Sequence, residues 1–355
     1  MSRNWCRFDG WTHNLGEEFE TRAVMHAAFV PASLVALATA SGQPIWLEAA
    51  IVSGSAFIVM EKTNLAPFGV ALHGVAIAAG FLVLLAAIST PPAFVGATAA
   101  MAGASILVTA KGDKLRALGN FTFIPALYLA CEAAEGTPPA ALLERGLSFL
   151  PYIAAALLPV IVLAAAEHVR DRDLGVSHIR HLTRFRRRVI DHGVAASFAE
   201  AMVAVTFAVA CASIFVQWRH VEHGQWVIWS AASVVTGDAA SARRKLGDRL
   251  LGAFVGVPIG VSLGFLMPHN GIVIELATVG AVLSLVAFRR YPLAFGLRCA
   301  LVALAIIDAD QSIAFAVERV ENVVLGGVIG LAFVFGIHGL TLVGQLRASR
   351  GQPPD

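Results

Sequence analysis

Long apolar runs separated by short polar stretches make up most of the chain, and only two segments stay polar for any distance: residues 1–22, ending EEFETR, and residues 167–193. A helix needs about 20 mostly apolar residues to cross a bilayer. On that measure twelve spans are predicted, at 23–41, 45–60, 66–88, 92–110, 117–134, 147–166, 194–216, 225–238, 250–267, 271–288, 293–308 and 322–343. Spans 2 and 8 are short, and both begin near tryptophan. The predicted fold class is an all-α polytopic membrane protein.

Composition supports that class. Of 355 residues, 57% are hydrophobic and 14% charged, whereas a soluble domain carries about 25% charge. With a mean hydropathy of +0.73, such a chain could not cover its surface with polar groups in water. The opening segment lacks the basic start and apolar core of a secretory signal, so the first run is expected to remain as a span. Cys6, Cys131, Cys211 and Cys299 are widely spaced, without zinc or redox spacing, and read as small hydrophobes. There is no P-loop, glycine-rich nucleotide fingerprint, hydrolase triad or HExxH helix. No enzyme activity, cofactor, metal or nucleic-acid partner is therefore expected.

Basic residues set the orientation. With the N-terminus in the cytoplasm and each span crossing, 22 of the 26 Lys and Arg residues fall inside. Arg145, Arg219 and Arg319 fall outside, and Arg298 lies within span 11. Trp46, Trp218, Trp226 and Trp229 then sit near the outer boundary, where amphipathic rings favour the headgroup layer. The expected location is the inner membrane with both termini cytoplasmic. In this topology Arg243, Arg244, Lys245 and Arg249 form a cytoplasmic turn between spans 8 and 9. Segment 167–193, with seven arginines, reads as a basic linker on anionic lipid or a docking site for a partner.

An internal repeat emerges when span 2 is laid on span 8. Trp46, Ala49, Val52 and Gly54 match Trp229, Ala232, Val235 and Gly237, and the same shift carries Lys62 onto Lys245 and Gly69 onto Gly252. Glu144-Arg145 opens span 6 as Glu318-Arg319 opens span 12. The expected organisation is an N-terminal segment 1–22, a first six-helix repeat 23–166, the linker 167–193, a second six-helix repeat 194–343 and a tail 344–355. An even number of spans separates the equivalents, so the repeats are parallel.

The outer tryptophan, apolar span, polar turn and Arg244-Lys245-Leu246-Gly247-Asp248-Arg249-Leu250-Leu251-Gly252 together resemble the fusaric acid resistance family. That family includes bacterial aromatic acid exporters and, more distantly, the plant aluminium-activated malate transporters. Asp248 stands where the family usually has threonine. Arg319, Asn322, Gly326, Gly327 and Gly330 resemble the arginine, polar residue and glycines that open the last helix of the family's unit. The resemblance covers residues 195–343 well and the first half weakly. It implies transport of organic anions such as aromatic carboxylic acids across an inner membrane, and a periplasmic adaptor as partner.

An anion path through hydrocarbon needs positive potential. Arg319 and Arg145, at the starts of equivalent helices, are candidates for a two-fold-related anion site, the alternative being local pairing with Glu144, Glu318 and Glu321. Arg298, about one turn inside span 11, either faces a cavity with Glu200 as partner or snorkels to the headgroups. Arg244 and Lys245 either receive the anion at the cytoplasmic mouth or only set the topology. Gly252, Gly256, Gly260 and Gly264 recur every fourth residue and predict close helix packing. His26, His73 and His338 lie within spans; with Glu200 they are the candidates for proton coupling or ion pairing, although a lone histidine in a span is more often a hydrogen-bonded packing residue.

The reading is an organic-anion transporter, most simply a proton-coupled exporter. Its rivals are a passive organic-anion channel and a membrane scaffold that moves no solute. A homodimer is compatible with either half.

Overall fold

The computed structural model describes residues 21–43, 45–111, 115–170, 185, 198–235, 239–269, 271–288, 290–309 and 312–350. Among them twelve α-helices follow one another: α1 Thr21–Ser41, α2 Ile45–Thr63, α3 Pro67–Ala87, α4 Pro91–Leu107, α5 Arg116–Ala134, α6 Leu142–Arg170, α7 Phe198–Arg219, α8 Gln225–Val234, α9 Ala239–Leu266, α10 Gly271–Ala287, α11 Tyr291–Asp308 and α12 Ile313–Arg350. The N-terminal segment 1–20 and linker residues 171–197 other than Phe185 lie outside the described residues.

Local sequence explains several boundaries. Proline opens α3, α4 and α11, where its missing N–H would be unpaired anyway and its fixed φ suits the first turn. α2 and α7 end on left-handed residues, Asn64 (φ 53°) and His220 (φ 48°). In each case the next amide reaches back five residues, Leu65 N–H to the Met60 carbonyl at 3.3 Å and Val221 N–H to the Val216 carbonyl at 3.1 Å. This closes the helix end against carbonyls that would otherwise be orphaned.

Eight of the helices are long and apolar enough to cross a membrane, and the chain is a multi-pass membrane protein. Two expectations need correction. α8 has ten residues and reaches only about 15 Å, half of a hydrocarbon core; an apolar run that reads as a span thus yields a half-length helix. α9 starts at Ala239 rather than near 250. The basic residues 243–249 therefore lie on its first three turns and not in a turn between spans. Arg, Lys and Leu are good helix formers, and they extend the helix below its apolar part.

The helices pair in an ordered way. In the first six, α3 lies against α5 and α6, α2 against α6, and α4 against α5. In the second six, α9 lies against α11 and α12, α8 against α12, and α10 against α11. Two extensive contacts join the sets, α4 with α7 and α1 with α10, and two smaller ones, α5 with α8 and α2 with α10. A large apolar core runs through α1–α8 and includes Leu34, Met60, Phe81, Phe123 and Val227. A smaller cluster, Val257, Ala303, Ile306 and Ala316, joins α9, α11 and α12.

Within the second six, glycine sets the spacing. A side chain at Gly252 would meet the Gly296 amide nitrogen at 2.9 Å, and one at Gly256 or Gly260 would collide with the carbonyls of Gly296 and Ala300. α9 and α11 thus touch backbone to backbone, as the four-residue ladder predicts. Lipid offers no hydrophobic force to press helices together, so close van der Waals contact of this kind holds them. Gly326 and Gly330 of α12 sit in the same manner on the Val227 and Ala231 carbonyls of α8.

Candidate functional site

α8, α9, α11 and α12 surround a narrow cavity. α8 contributes Trp226, Trp229 and Ser230; α9 contributes Arg249; α11 contributes Phe295, Arg298 and Cys299; and α12 contributes Arg319, with Ala253, Val257, Val320 and Val323 as apolar wall. Among the described residues α2 rests on α5, whereas α8 and α11 do not pack closely on one another. The gap between them is the cavity. Its volume of about 40 Å³ holds roughly two or three waters, or a carboxylate head.

Three guanidinium groups line the cavity, and among the described residues no carboxylate does. Arg249 is held most firmly. It is 6% exposed, donates from Nε to the Tyr291 hydroxyl at 3.0 Å and from Nη1 to the Ser230 hydroxyl at 3.1 Å. Ser230 in turn donates to the Val323 carbonyl at 2.6 Å, which ties α8, α9, α11 and α12 to one charge. Arg298 donates to the Ser284 hydroxyl at 3.2 Å. The Phe295 ring lies between these two arginines, 5.1 Å from Arg249 and 5.9 Å from Arg298. Arg319 lies over the Trp226 ring at 3.5 Å, and Trp226 stacks on Trp229 with centroids 4.9 Å apart.

Ring faces carry negative quadrupole density and attract cations. Here they partly offset three positive charges that would otherwise repel one another in a medium of low dielectric. The offset is incomplete, since a ring attracts a cation through its quadrupole and carries no net charge to cancel it. The cavity keeps positive potential, and its walls are rings.

Outside the cavity, positive charge continues along α9. Lys245 lies 5.9 Å from the Tyr291 ring, within electrostatic reach of Arg249, Arg116 and Lys62. Lys62 of α2 reaches the Phe121 ring at 5.9 Å and feels Arg298. Arg243 and Arg244 are exposed.

Of the residues singled out from sequence, Arg298 and Arg319 come together in the cavity, and Lys245 lies at its basic approach. Arg145 does not join them: it is the fourth residue of α6 and exposed, with Glu48 among the carboxylates that sense it. Arg319 sits two turns into α12 rather than at its start. The expected pairing of Arg298 with Glu200 is replaced by the Ser284 contact, and Glu200 lies 3.6 Å from His338 across α7 and α12. His73 is buried and lines a separate apolar cavity of about 330 Å³ between α3, α4 and α5. His26 lies on α1, with its side chain outside the described residues. Arg249 was read only as an orienting charge. Its phase was informative, because it precedes Gly252, Ala253 and Gly256 by three, four and seven residues and so shares the buried face of α9.

Residues 202–333, which contain all of the cavity's lining, match the family described as fusaric acid resistance protein-like. This is the family that the motif residues resemble, and it is one of membrane transporters. No curated protein and no solved structure matches the chain.

Proposed function

We propose that this chain, whose residues 202–333 carry the fusaric acid resistance protein-like region, transports small aromatic carboxylates across the inner membrane, with the cavity of Arg249, Arg298 and Arg319 as its substrate site. One observation carries the proposal: three arginines and three aromatic rings face one intramembrane space that, among the described residues, no carboxylate lines. Arginine binds a carboxylate with two parallel hydrogen bonds, and Trp229 and Phe295 offer ring faces for the substrate's body.

The recurrent helix pairing supports reading the molecule as two parallel six-helix repeats. On that reading the α2–α5 contact closes, in the first repeat, the position that the cavity takes in the second. Lys62, Arg116 and Lys245 form the approach. If basic residues face the cytoplasm, this approach gathers anions from inside, which supports export as the direction. The narrowness of the cavity favours a carrier that alternates between states over a continuously open channel.

Equilibrium binding of benzoate to the purified protein tests the assignment, with benzamide as its uncharged analogue. Benzoate should bind and benzamide should not, and Arg298→Gln combined with Arg319→Gln should abolish binding. Equal binding of the two compounds would refute the proposal.

A further inference from the structure

Glu132 lies outside the cavity and is tied to its lining through Gln225, the residue next to Trp226. It belongs to α5, in the first six helices, and its carboxylate accepts a hydrogen bond from the Gln225 side-chain amide at 3.1 Å. Gln225 is 6% exposed and immediately precedes Trp226. One turn before Glu132, Tyr128 packs against Trp226 at 6.0 Å between centroids. The contacts run from Glu132 to Gln225, whose chain neighbour Trp226 touches both Tyr128 and Arg319. The charge of Glu132 reaches the Arg319 guanidinium.

The groups facing Glu132 make it unusual. Glu48 of α2 and Glu135 of α5 are the nearest like charges, Arg319 of α12 is the cation in range, and Tyr128 and Cys131 are the other titratable neighbours. Among the described residues no cation lies within ion-pair distance of it. Ionisable groups inside a membrane are expensive to keep unless they act. An amide also serves both forms of a carboxyl: its NH₂ donates to the ionised form, and its carbonyl accepts from the protonated one.

We infer that Glu132 is the proton-binding group linked to the anion site, and that a carboxylate entering beside Arg319 is accompanied by a proton on Glu132. This inference rests on the substrate site proposed above. The sign follows from Coulomb's law. Ionised Glu132 competes with the substrate for the field of Arg319 and repels its negative charge across the Trp226 ring. Protonation removes both effects and tightens anion binding; by reciprocity, bound anion tightens proton binding. Anion and proton load together, so export of the pair runs down the substrate's own gradient and is not driven by the proton gradient, and affinity rises as pH falls. Glu132 comes from the first six helices and Arg319 from the second, so the linkage also joins the two halves.

Titration calorimetry of benzoate binding, in two buffers of different ionisation enthalpy at one pH, tests this. For the wild type the apparent enthalpy should differ between buffers with the sign of proton uptake, and affinity should rise roughly tenfold as pH falls. Glu132→Gln keeps the shape and the hydrogen bond; it should bind benzoate with no buffer difference and a flat pH profile. Glu135→Gln should retain the uptake. Gln225→Leu should move the midpoint of the pH profile without flattening it, a result that a merely structural role for Glu132 would not give. Benzoate binding without proton uptake in the wild type, or uptake that persists in Glu132→Gln, would overturn this inference alone. Failure of the wild type to bind benzoate would overturn the site and this inference with it.

Discussion

The guanidinium of Arg319 lies 3.5 Å from the centre of the Trp226 ring, and both side chains line the same cavity. A planar guanidinium can stack on a ring and still present N–H groups at its edge, which an ammonium cannot do. Stacking thus fixes the charge without using up its donors. Arg319→Lys should keep the charge and lose the geometry, lowering benzoate affinity by roughly 30-fold, the equivalent of about 2 kcal/mol. Trp226→Leu should fall in the same range, and the double variant should add little to either alone. Fully additive losses in a double-mutant cycle of binding would show that the two side chains act apart.

Arg249 and Arg244 stand five residues apart on α9 and should behave oppositely. Arg249 is buried and holds Ser230 and Tyr291, whereas Arg244 is exposed. Arg249→Gln should lose benzoate binding by at least roughly tenfold, and it should lower thermal stability by about 1–3 kcal/mol because the Tyr291 hydroxyl loses its partner. Arg244→Gln should leave both nearly unchanged and weaken only the salt dependence of association. Thermal melts and binding titrations on the two variants separate these roles.

Backbone contact between α9 and α11 predicts a sharp contrast between two glycines of one helix. A methyl group at Gly256 would strike the Gly296 carbonyl, and nothing lies within 4 Å of one at Gly247. Gly256→Ala should therefore lower stability in detergent by about 1–3 kcal/mol through overpacking. Gly247→Ala should be neutral or slightly stabilising, as alanine favours a helix. Equal melting temperatures for the two variants would contradict the packing described.

Cys299 lines the cavity beside Arg298 and provides a reporter there. In a background with Cys6, Cys131 and Cys211 replaced by alanine, a small anionic thiol reagent should modify it faster than a cationic one of equal size. Bound benzoate should slow the modification. Mass spectrometry of the intact protein follows both. A faster reaction with the cationic reagent would mean that the cavity lacks positive potential.

How much of this the sequence held differs by scale. Apolar run length located all twelve helices, because in lipid a backbone without water has no partner but its own helix. It misplaced the start of α9, since four basic residues after an apolar run read as a turn although arginine and lysine continue a helix well. It also overrated α8, where run length alone cannot tell a half-length helix from a span. At the site, Arg298 and Arg319 were visible as charges in apolar surroundings. Arg249 was hidden among orienting residues, although its phase relative to Gly252 and Gly256 gave its buried face. The partners were not legible: Ser284 for Arg298 and His338 for Glu200 are long-range pairings with no local signature. Glu132 escaped for the same reason, since only the fold brings α5 against Gln225.

The central claim is that the arginine cavity carries the substrate, and flux tests it most directly. Proteoliposomes loaded with radiolabelled benzoate should release it in a saturable manner with the wild-type protein. Vesicles carrying Arg298→Gln and Arg319→Gln together should leak no faster than protein-free ones, while Arg145→Gln, outside the cavity, should transport as the wild type does. Equal release from the wild type and the doubly substituted protein would contradict the account.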